Sequence, residues 1–164
     1  MKFALRLILF LIIAGGGYLA AAHFSGGAFP VPGFVRVGGE LGELRRTSLT
    51  FLEDIQFKDF DRAASYHAPD KIDSVDIPFL LQRLFLLKPE MLDIMEYEIM
   101  MAELDSTGLR ARVKVRVKVK DLMREKIQTK ELMLFYHRES LSSPWYMELE
   151  ESLRQVKGEK GKKH

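Results

Sequence analysis

The chain has 164 residues, of which 25 are basic and 23 acidic, and its formal charge is +2 at neutral pH. This length suits one small domain, and the near balance of charge argues against a dedicated nucleic-acid-binding protein, which usually carries a larger basic excess. The absence of cysteine excludes disulfides, thiolate metal sites, cysteine nucleophiles and a lipidated N-terminal cysteine.

The first 24 residues predict a membrane segment. After Lys2 and Arg6, residues 7–22 carry no charge, and the apolar stretch from Phe3 is long enough to cross a hydrocarbon core of roughly 30 Å. Because both basic residues lie at its N-terminal end, we expect the N-terminus in the cytoplasm. The remainder would then be periplasmic or otherwise extracytoplasmic, held by a single pass through the cytoplasmic membrane.

A cleavable signal peptide is the alternative interpretation of this segment, because Ala20-x-Ala22 resembles a small-residue cleavage site. Either interpretation exports the domain. The segment also contains small residues that would allow close packing of another membrane helix. These are Gly15, Gly17 and Ala21.

Residues 25–40 predict a linker, since their glycines together with Pro30 and Pro32 cannot continue a helix. Phe29 and Phe34 make this segment more apolar than a solvated tether. Two interpretations stay open. The linker lies along the membrane surface or its own domain, or it docks on a partner as a strand-like segment.

The domain begins with residues of helical spacing. Residues 41–57 predict an amphipathic helix, and Asp59 can cap a second, short helix that starts at Phe60. A third helix is expected to begin at Ile77–Pro78 and to end before Pro89.

From residue 92 the apolar period changes to two, which predicts strands. The first, residues 92–105, is expected to place Glu96 and Glu98 on one face and Met95, Tyr97, Ile99 and Met101 on the other. Later strands are expected at 110–121 and 127–139, and a fourth begins at residue 145.

The second strand reads RARVKVRVKVKD, with a cation at every second position. We expect its valines to seal the core and its cations to face outward, partly paired with Glu96, Glu98 and Glu131. The cations outnumber these neighbours, so a residual basic patch is expected. It would be a solvated face or would bind an acidic protein or a polyanion. The candidate docking residues are Arg112, Lys114, Arg116 and Lys118.

Three helices followed by a four-stranded antiparallel sheet form an α+β domain over residues 41–153, with a basic tail at 154–164 that we expect to be disordered. The stretches FLEDIQFKDFDRAASYH and SSPWYMEL resemble the opening and closing elements of the nuclear-transport-factor-2-like superfamily. This cystatin-like, cone-shaped fold is shared by ketosteroid isomerases and small bacterial accessory domains. The resemblance implies a curved sheet around the helices, a pocket in the cone, and homodimers that form through the sheet.

The pocket residues that the sequence offers are aromatic: Tyr66, Tyr97, Phe135 and Trp145. Asp59, His67 or His137 could act as a base, but no position matches a catalytic motif of the resembling isomerases. The histidines at 23, 67, 137 and 164 are too scattered for a metal site, and no glycine-rich phosphate loop follows a strand. We therefore expect no catalytic residue, no metal and no cofactor.

These observations predict a non-enzymatic accessory or scaffold subunit, anchored in the membrane, that docks on other proteins of a bacterial envelope complex. A small-ligand binder or an isomerase- or dehydratase-like enzyme that uses the cone pocket is the first alternative. Binding of an anionic surface through the basic strand is the second, and nucleic acid is not an expected partner.

Overall fold

The structure of the chain is a computed structural model, and it describes residues 2–25 and 38–151. Residues 26–37 of the predicted linker and the predicted tail lie outside the described residues. The helices are α1 (Lys2–Phe24), α2 (Gly39–Gln56), α3 (Phe60–Ala64) and α4 (Ile77–Phe85), with 3₁₀ turns at Ile72–Ser74 and Pro89–Met91. The strands β1 (Leu92–Leu104), β2 (Arg110–Asp121), β3 (Lys126–His137) and β4 (Tyr146–Met147) form one antiparallel sheet in the order β1-β2-β3-β4.

The chain divides into two compact units, Met1–Arg45 and Arg46–His164, with the boundary inside α2. In the first unit, α1 ends where Ser25 donates its amide to the carbonyl of Ala21 and its hydroxyl to that of Ala22. Helix formation over the predicted apolar segment is thus confirmed. No helix in the described part of the chain is both long enough and apolar enough to span a membrane.

In the second unit, the predicted helices form and their ends have local causes. Asp59 caps α3 by accepting the amide of Arg62 at 3.1 Å, and Asp76 caps α4 by accepting the amide of Phe79 at 3.0 Å. Helix α4 ends at Leu86, whose φ of 57° lies in the left-handed region. The sequence prediction of Asp59 as a helix cap is confirmed.

Strand β2 divides the sheet into two faces. The side chains of Val113, Val115, Val117 and Val119 are fully buried, and we call this side the core face. Cations occupy the alternate positions, and we call their side the outward face. Strand β3 follows the same alternation, since Leu132, Leu134 and Tyr136 are buried and lie opposite core-face residues of β2.

Strand β1 departs from the predicted alternation at two β-bulges. Met95 and Met100 are extra residues with no register partner in β2. Tyr97 and Ile99 lie opposite Val117 and Val115 on the core face, as predicted. The prediction that Met101 shares this face is wrong: Met101 lies opposite Lys114, because an extra residue moves every following side chain to the other face.

Strand β4 is shorter than predicted. Trp145, Met147 and Leu149 are buried and alternate with less buried neighbours, as the sequence predicts, but only Tyr146–Met147 pairs with β3. The amide of Met147 donates to the carbonyl of Tyr66 on one side, and the amide of Glu148 donates to the Phe135 carbonyl of β3 on the other, both at 2.8 Å. The strand is short because helical conformation begins at residue 149.

A polar contact joins α2 to the sheet inside the core. The hydroxyls of Ser48 and Tyr136 are 2.7 Å apart, and both side chains are buried. Burial raises the pKa of Tyr136 far above its ordinary value, so this hydroxyl stays neutral. Each hydroxyl thus satisfies the other where water is excluded.

Replacing Tyr136 with phenylalanine should destabilise the domain by about 1–3 kcal/mol, because the buried Ser48 hydroxyl loses its partner. Urea unfolding followed by circular dichroism measures this loss. Tyr146→Phe is the matched control. The Tyr146 ring lies tilted at 44° to that of His137 with centroids 6.0 Å apart, phenylalanine keeps that ring, and the loss there should stay below about 0.5 kcal/mol. Equal losses in the two variants would show that the Ser48–Tyr136 contact is not the cause.

Candidate functional site on the outward face of the sheet

The four candidate docking cations lie side by side on the outward face, and each contacts a glutamate of a neighbouring strand. Two pairs join β2 to β1 at 2.6 Å, Arg112 with Glu103 and Arg116 with Glu98. The remaining contacts are Lys118 with Glu96 at 3.2 Å, Lys114 with Glu131 at 2.7 Å, and Arg116 with Glu131 at 3.2 Å. The predicted cross-strand pairing is confirmed for all three glutamates that the sequence singled out.

Glu131 and Arg116 connect these pairs into a network across three strands. Hydrogen bonds from Lys114 and then Arg116 lower the pKa of Glu131, and the hydrogen bond to Glu131 raises the pKa of Arg116. These side chains remain substantially exposed, so solvent screens each pair and its individual contribution to stability is small. The main consequence is a fixed pattern of charge on this face.

This face is less basic than the sequence predicts. Glu103 lies opposite Arg112 because the bulge at Met100 brings it to the outward face, and Asp93 lies opposite Lys120 at one end. Six cations of β2 therefore share the face with five carboxylates: Asp93, Glu96, Glu98, Glu103 and Glu131. The expected basic excess shrinks to a single charge.

Apolar side chains lie among the ion pairs. Met101 and Met133 lie opposite Lys114 from its two sides, and Phe135 lies opposite Arg112. Met101, Met133 and Phe135 are half-buried. The continuous apolar run 132–136 in the sequence thus alternates between a buried core face and a partly exposed outward face.

A cleft of about 580 Å³ opens at the end of the sheet beside Phe135. Its charged lining consists of four carboxylates and two arginines: Glu103, Asp105, Glu148, Glu151, Arg110 and Arg112. Asp105 belongs to the turn between β1 and β2, where its carboxylate accepts the Thr107 hydroxyl at 2.7 Å and the Leu109 and Arg110 amides at 3.2 Å. The Thr107 bond is the main cause that lowers the pKa of Asp105.

The four aromatic pocket residues are not gathered at one site. Phe135 lies on the outward face and lines the cleft, whereas Tyr97 lies opposite the core-face Val117 and lines a separate groove of about 480 Å³. Tyr66 lies after α3 with its ring edge-on to Phe51, at a centroid distance of 5.9 Å. Trp145 is buried before β4.

Trp145 has a structural contact that the sequence did not indicate. The guanidinium of Arg138, which is 6 % exposed, stacks over the Trp145 ring with its central carbon 4.3 Å from the centroid. Arg138 also donates to the carbonyls of Gly108 at 2.8 Å and Leu141 at 3.0 Å. Trp145 therefore helps a buried arginine hold the β1–β2 turn against the loop before β4.

Tyr66 forms a part-buried polar pair with a carboxylate of α2. Its hydroxyl donates to Asp54 at 3.0 Å, and Asp54 is 4 % exposed. Burial, followed by this hydrogen bond to the carboxylate, raises the pKa of Tyr66 to about 12. Arg62 approaches the other carboxylate oxygen at 3.4 Å from the solvent side. Sequence reasoning missed Asp54, because its helical position shows nothing that separates it from an ordinary surface carboxylate.

The three candidate bases occupy different settings. Asp59 is used as the cap of α3. His67 is buried, its Nδ1 lies 3.1 Å from the Ala64 carbonyl, and burial lowers its pKa. His137 is on the outward face with Nδ1 3.1 Å from Glu148 Oε1, but the ring N–H is not aligned with that oxygen for a hydrogen bond. Within the described residues, no three or more His, Asp or Glu side chains are grouped as metal ligands.

The small residues of α1 have open space around them: Gly17 and Ala21 share one side of the helix, and Gly15 lies about 200° around it from Gly17. A Cβ built on Gly15 or Gly17 would meet no atom within 4 Å, and Ala21 is exposed. These positions have room for the backbone of another helix.

Comparison with known proteins finds no matching family model, no matching curated protein and no matching solved structure. The resemblance to the nuclear-transport-factor-2-like superfamily therefore stays a prediction.

The ion-pair network should make stability depend on pH and salt through Glu131. Because its contacts lower its folded-state pKa below the ordinary 4.5, its stabilising effect is present above about pH 4.5 and is lost as the pH falls through the lowered value. The melting temperature of Glu131→Gln should thus be below that of the wild type at neutral pH and low salt. The gap should close at acid pH and in molar salt.

Glu139→Gln is the control for this prediction, since Glu139 is exposed just after β3. Its melting temperature should follow the wild type under all these conditions. A Glu131→Gln gap that persists in acid and in high salt would contradict an electrostatic origin.

Proposed function

We propose that this protein is a non-enzymatic accessory subunit that α1 anchors in the cytoplasmic membrane of a bacterium. Its α+β domain, with the cone arrangement that the resemblance implies, would face the periplasm and dock on other proteins of an envelope complex. The observation that carries the proposal is the combination of an apolar helix and a sheet face on which ion pairs and apolar side chains alternate.

The described side chains of α1 support the anchor. Phe10, Leu11, Ile12 and Ile13 are consecutive and 60–67 % exposed. Successive residues of a helix point about 100° apart, so these four side chains surround it. A helix that is apolar on all sides needs an apolar environment. The proposal also uses the sequence of residues 3–7 and 9, whose side chains are outside the described part.

The outward face supports a protein partner more than a polyanion. Each of the four central cations already contacts a glutamate, so a phosphate-rich ligand would have to displace those carboxylates. A protein surface could instead exchange ion pairs at the rim while it covers Met101, Met133 and Phe135. The partner with this surface would be a second copy of the chain or another protein of the envelope.

A small-ligand site near the helices is the second candidate function, and the Asp54–Tyr66 pair favours it. A buried carboxylate beside a tyrosine hydroxyl could bind or deprotonate a small polar ligand. This hypothesis predicts that Asp54→Asn abolishes ligand binding while the outward face still docks its partner.

Fusion of reporters after residue 164 tests the anchor. A reporter enzyme that folds only outside the cytoplasm should be active, and the fusion should stay in the membrane pellet after alkaline extraction. Deletion of residues 1–24 should leave the reporter inactive and soluble. Activity of a cytoplasm-only reporter in the full-length fusion would contradict the proposed topology.

Site-specific photo-cross-linking tests the docking face. A cross-linker at Thr129, which is exposed on the outward face, should form an adduct with a second protein or a second copy in intact membranes. The same group at Lys71, exposed in the turn after α3, is the control. Arg116→Glu should lower the melting temperature, since it places a third carboxylate beside Glu98 and Glu131. It should remove the Thr129 adduct at a temperature where circular dichroism shows that the variant is folded. Equal yields at both positions would contradict docking through this face.

A further inference from the structure

Exposed apolar side chains lie at the end of the sheet where β2 turns into β3. The exposed fractions are 48 % for Leu122, 74 % for Met123 and 49 % for Ile127, and Phe57 after α2 is also 74 % exposed. Turns are normally built from glycine, proline and short polar residues. Leucine and methionine in a hairpin turn therefore call for a cause outside the turn itself.

Both the β2–β3 turn and the residue after Phe57 donate hydrogen bonds to the start of β1. The amide of Leu122 donates to the Met91 carbonyl at 3.0 Å, and the ammonium group of Lys58 donates to the carbonyl of Leu92. Phe57 and the β2–β3 turn are thus attached to adjacent residues. We name the four exposed side chains Phe57, Leu122, Met123 and Ile127 the hairpin patch.

A buried carboxylate holds the turn in this form. Asp121 is 3 % exposed, and its Oδ1 accepts the amides of Met123 at 3.0 Å and Arg124 at 3.2 Å. Glu125 completes the turn with a φ of 52°. The turn is therefore ordered before any contact forms. Binding through Leu122 and Met123 would lose little further backbone entropy.

Cations flank the patch. Arg124 has an 82 % exposed side chain and Lys126 is exposed, while Glu125 is the exposed carboxylate of the turn. Lys120 lies opposite Asp93. Arg124 Nε lies 4.0 Å from the buried Asp121 carboxylate, but its side chain stays mostly exposed, so Arg124 and Lys126 are the cations at this end of the hairpin that can reach an anionic surface. Long cationic side chains beside exposed apolar ones are typical of segments that lie at a membrane interface. The apolar side chains insert among the acyl chains there, and the cations contact the lipid headgroups.

We propose that the hairpin patch inserts into the headgroup region of an anionic bilayer, and this inference rests on the proposed function of α1 as an anchor. The chain between residues 25 and 38 can span at most about 45 Å, so the domain stays close to the bilayer. Such a tether raises the effective concentration of a weak second contact. The patch would then set the orientation of the domain on the membrane.

Single-cysteine labelling tests the proposal, because the chain has no cysteine of its own. Full-length Met123→Cys, Ser106→Cys and Ile13→Cys are each labelled with an environment-sensitive fluorophore and reconstituted into phosphatidylcholine vesicles with and without phosphatidylglycerol. Headgroup-level spin-labelled lipid is the quencher for positions 123, 127 and 106. Lipid that is spin-labelled deep in its acyl chain is the quencher for position 13, which lies at the middle of α1. Ser106 is exposed in the β1–β2 turn, the opposite end of the sheet, about 40 Å along the strands from the patch.

Insertion predicts several-fold stronger quenching at 123 than at 106, with a further increase when phosphatidylglycerol is present. In Ile127→Cys, the added change Leu122→Asp should lower the quenching at 127 to the level at 106. Circular dichroism melts check that the labelled variants are folded.

The label at 13 separates the two proposals. If the label at 13 is quenched while those at 123 and 106 are quenched equally weakly, the hairpin proposal is overturned and the anchor stands. This result is expected when the patch is buried in a second copy or in another protein. Quenching at 123 but not at 13 supports the hairpin proposal and contradicts the anchor. Weak quenching at both positions overturns both.

Discussion

The alternation of valine and cation along β2 constrains the rest of the domain. Its four central valines are fully buried while the cations between them face outward. A slip by one residue would bury those cations at a cost of several kcal/mol each, which together exceeds the 5–15 kcal/mol by which a typical domain is stable. Because β2 pairs with both β1 and β3, its register fixes which of their side chains face the core.

The outward face follows from this register. Glutamates of β1 and β3 come opposite the cations of β2, and the charges largely cancel within the chain. What remains for a partner is a patterned, nearly neutral surface with Met101, Met133 and Phe135 between the ion pairs. The hairpin patch at one end of the same strands differs in its apolar side chains, which are more exposed. Its charged neighbours Arg124, Glu125 and Lys126 carry the same excess of one positive charge as the outward face. The two proposals assign a protein to the face and a bilayer to the end.

The helices and strands were predictable because each has a local cause. Asp59 and Asp76 can cap the next residues by themselves, Pro89 limits α4, and strict alternation identifies β2. The faces of β1 were predictable only from Glu96 to Ile99, between its bulges at Met95 and Met100. An inserted residue leaves no mark in the sequence, so neither bulge nor the outward position of Met101 could be predicted. The short β4 was not predictable either, because the alternation of buried residues continues to Leu149 although helical conformation begins there.

The sequence by itself determined the α+β order of elements, the core and outward faces of β2, and the apolar character of α1, because these depend on neighbouring residues with a fixed period. Only the tertiary structure decided which distant residues meet. It paired Tyr66 with Asp54, Tyr136 with Ser48 and Trp145 with Arg138, and it separated Phe135 from Tyr97 across the sheet. Such contacts depend on how helices and strands pack, and no local period in the chain records that packing.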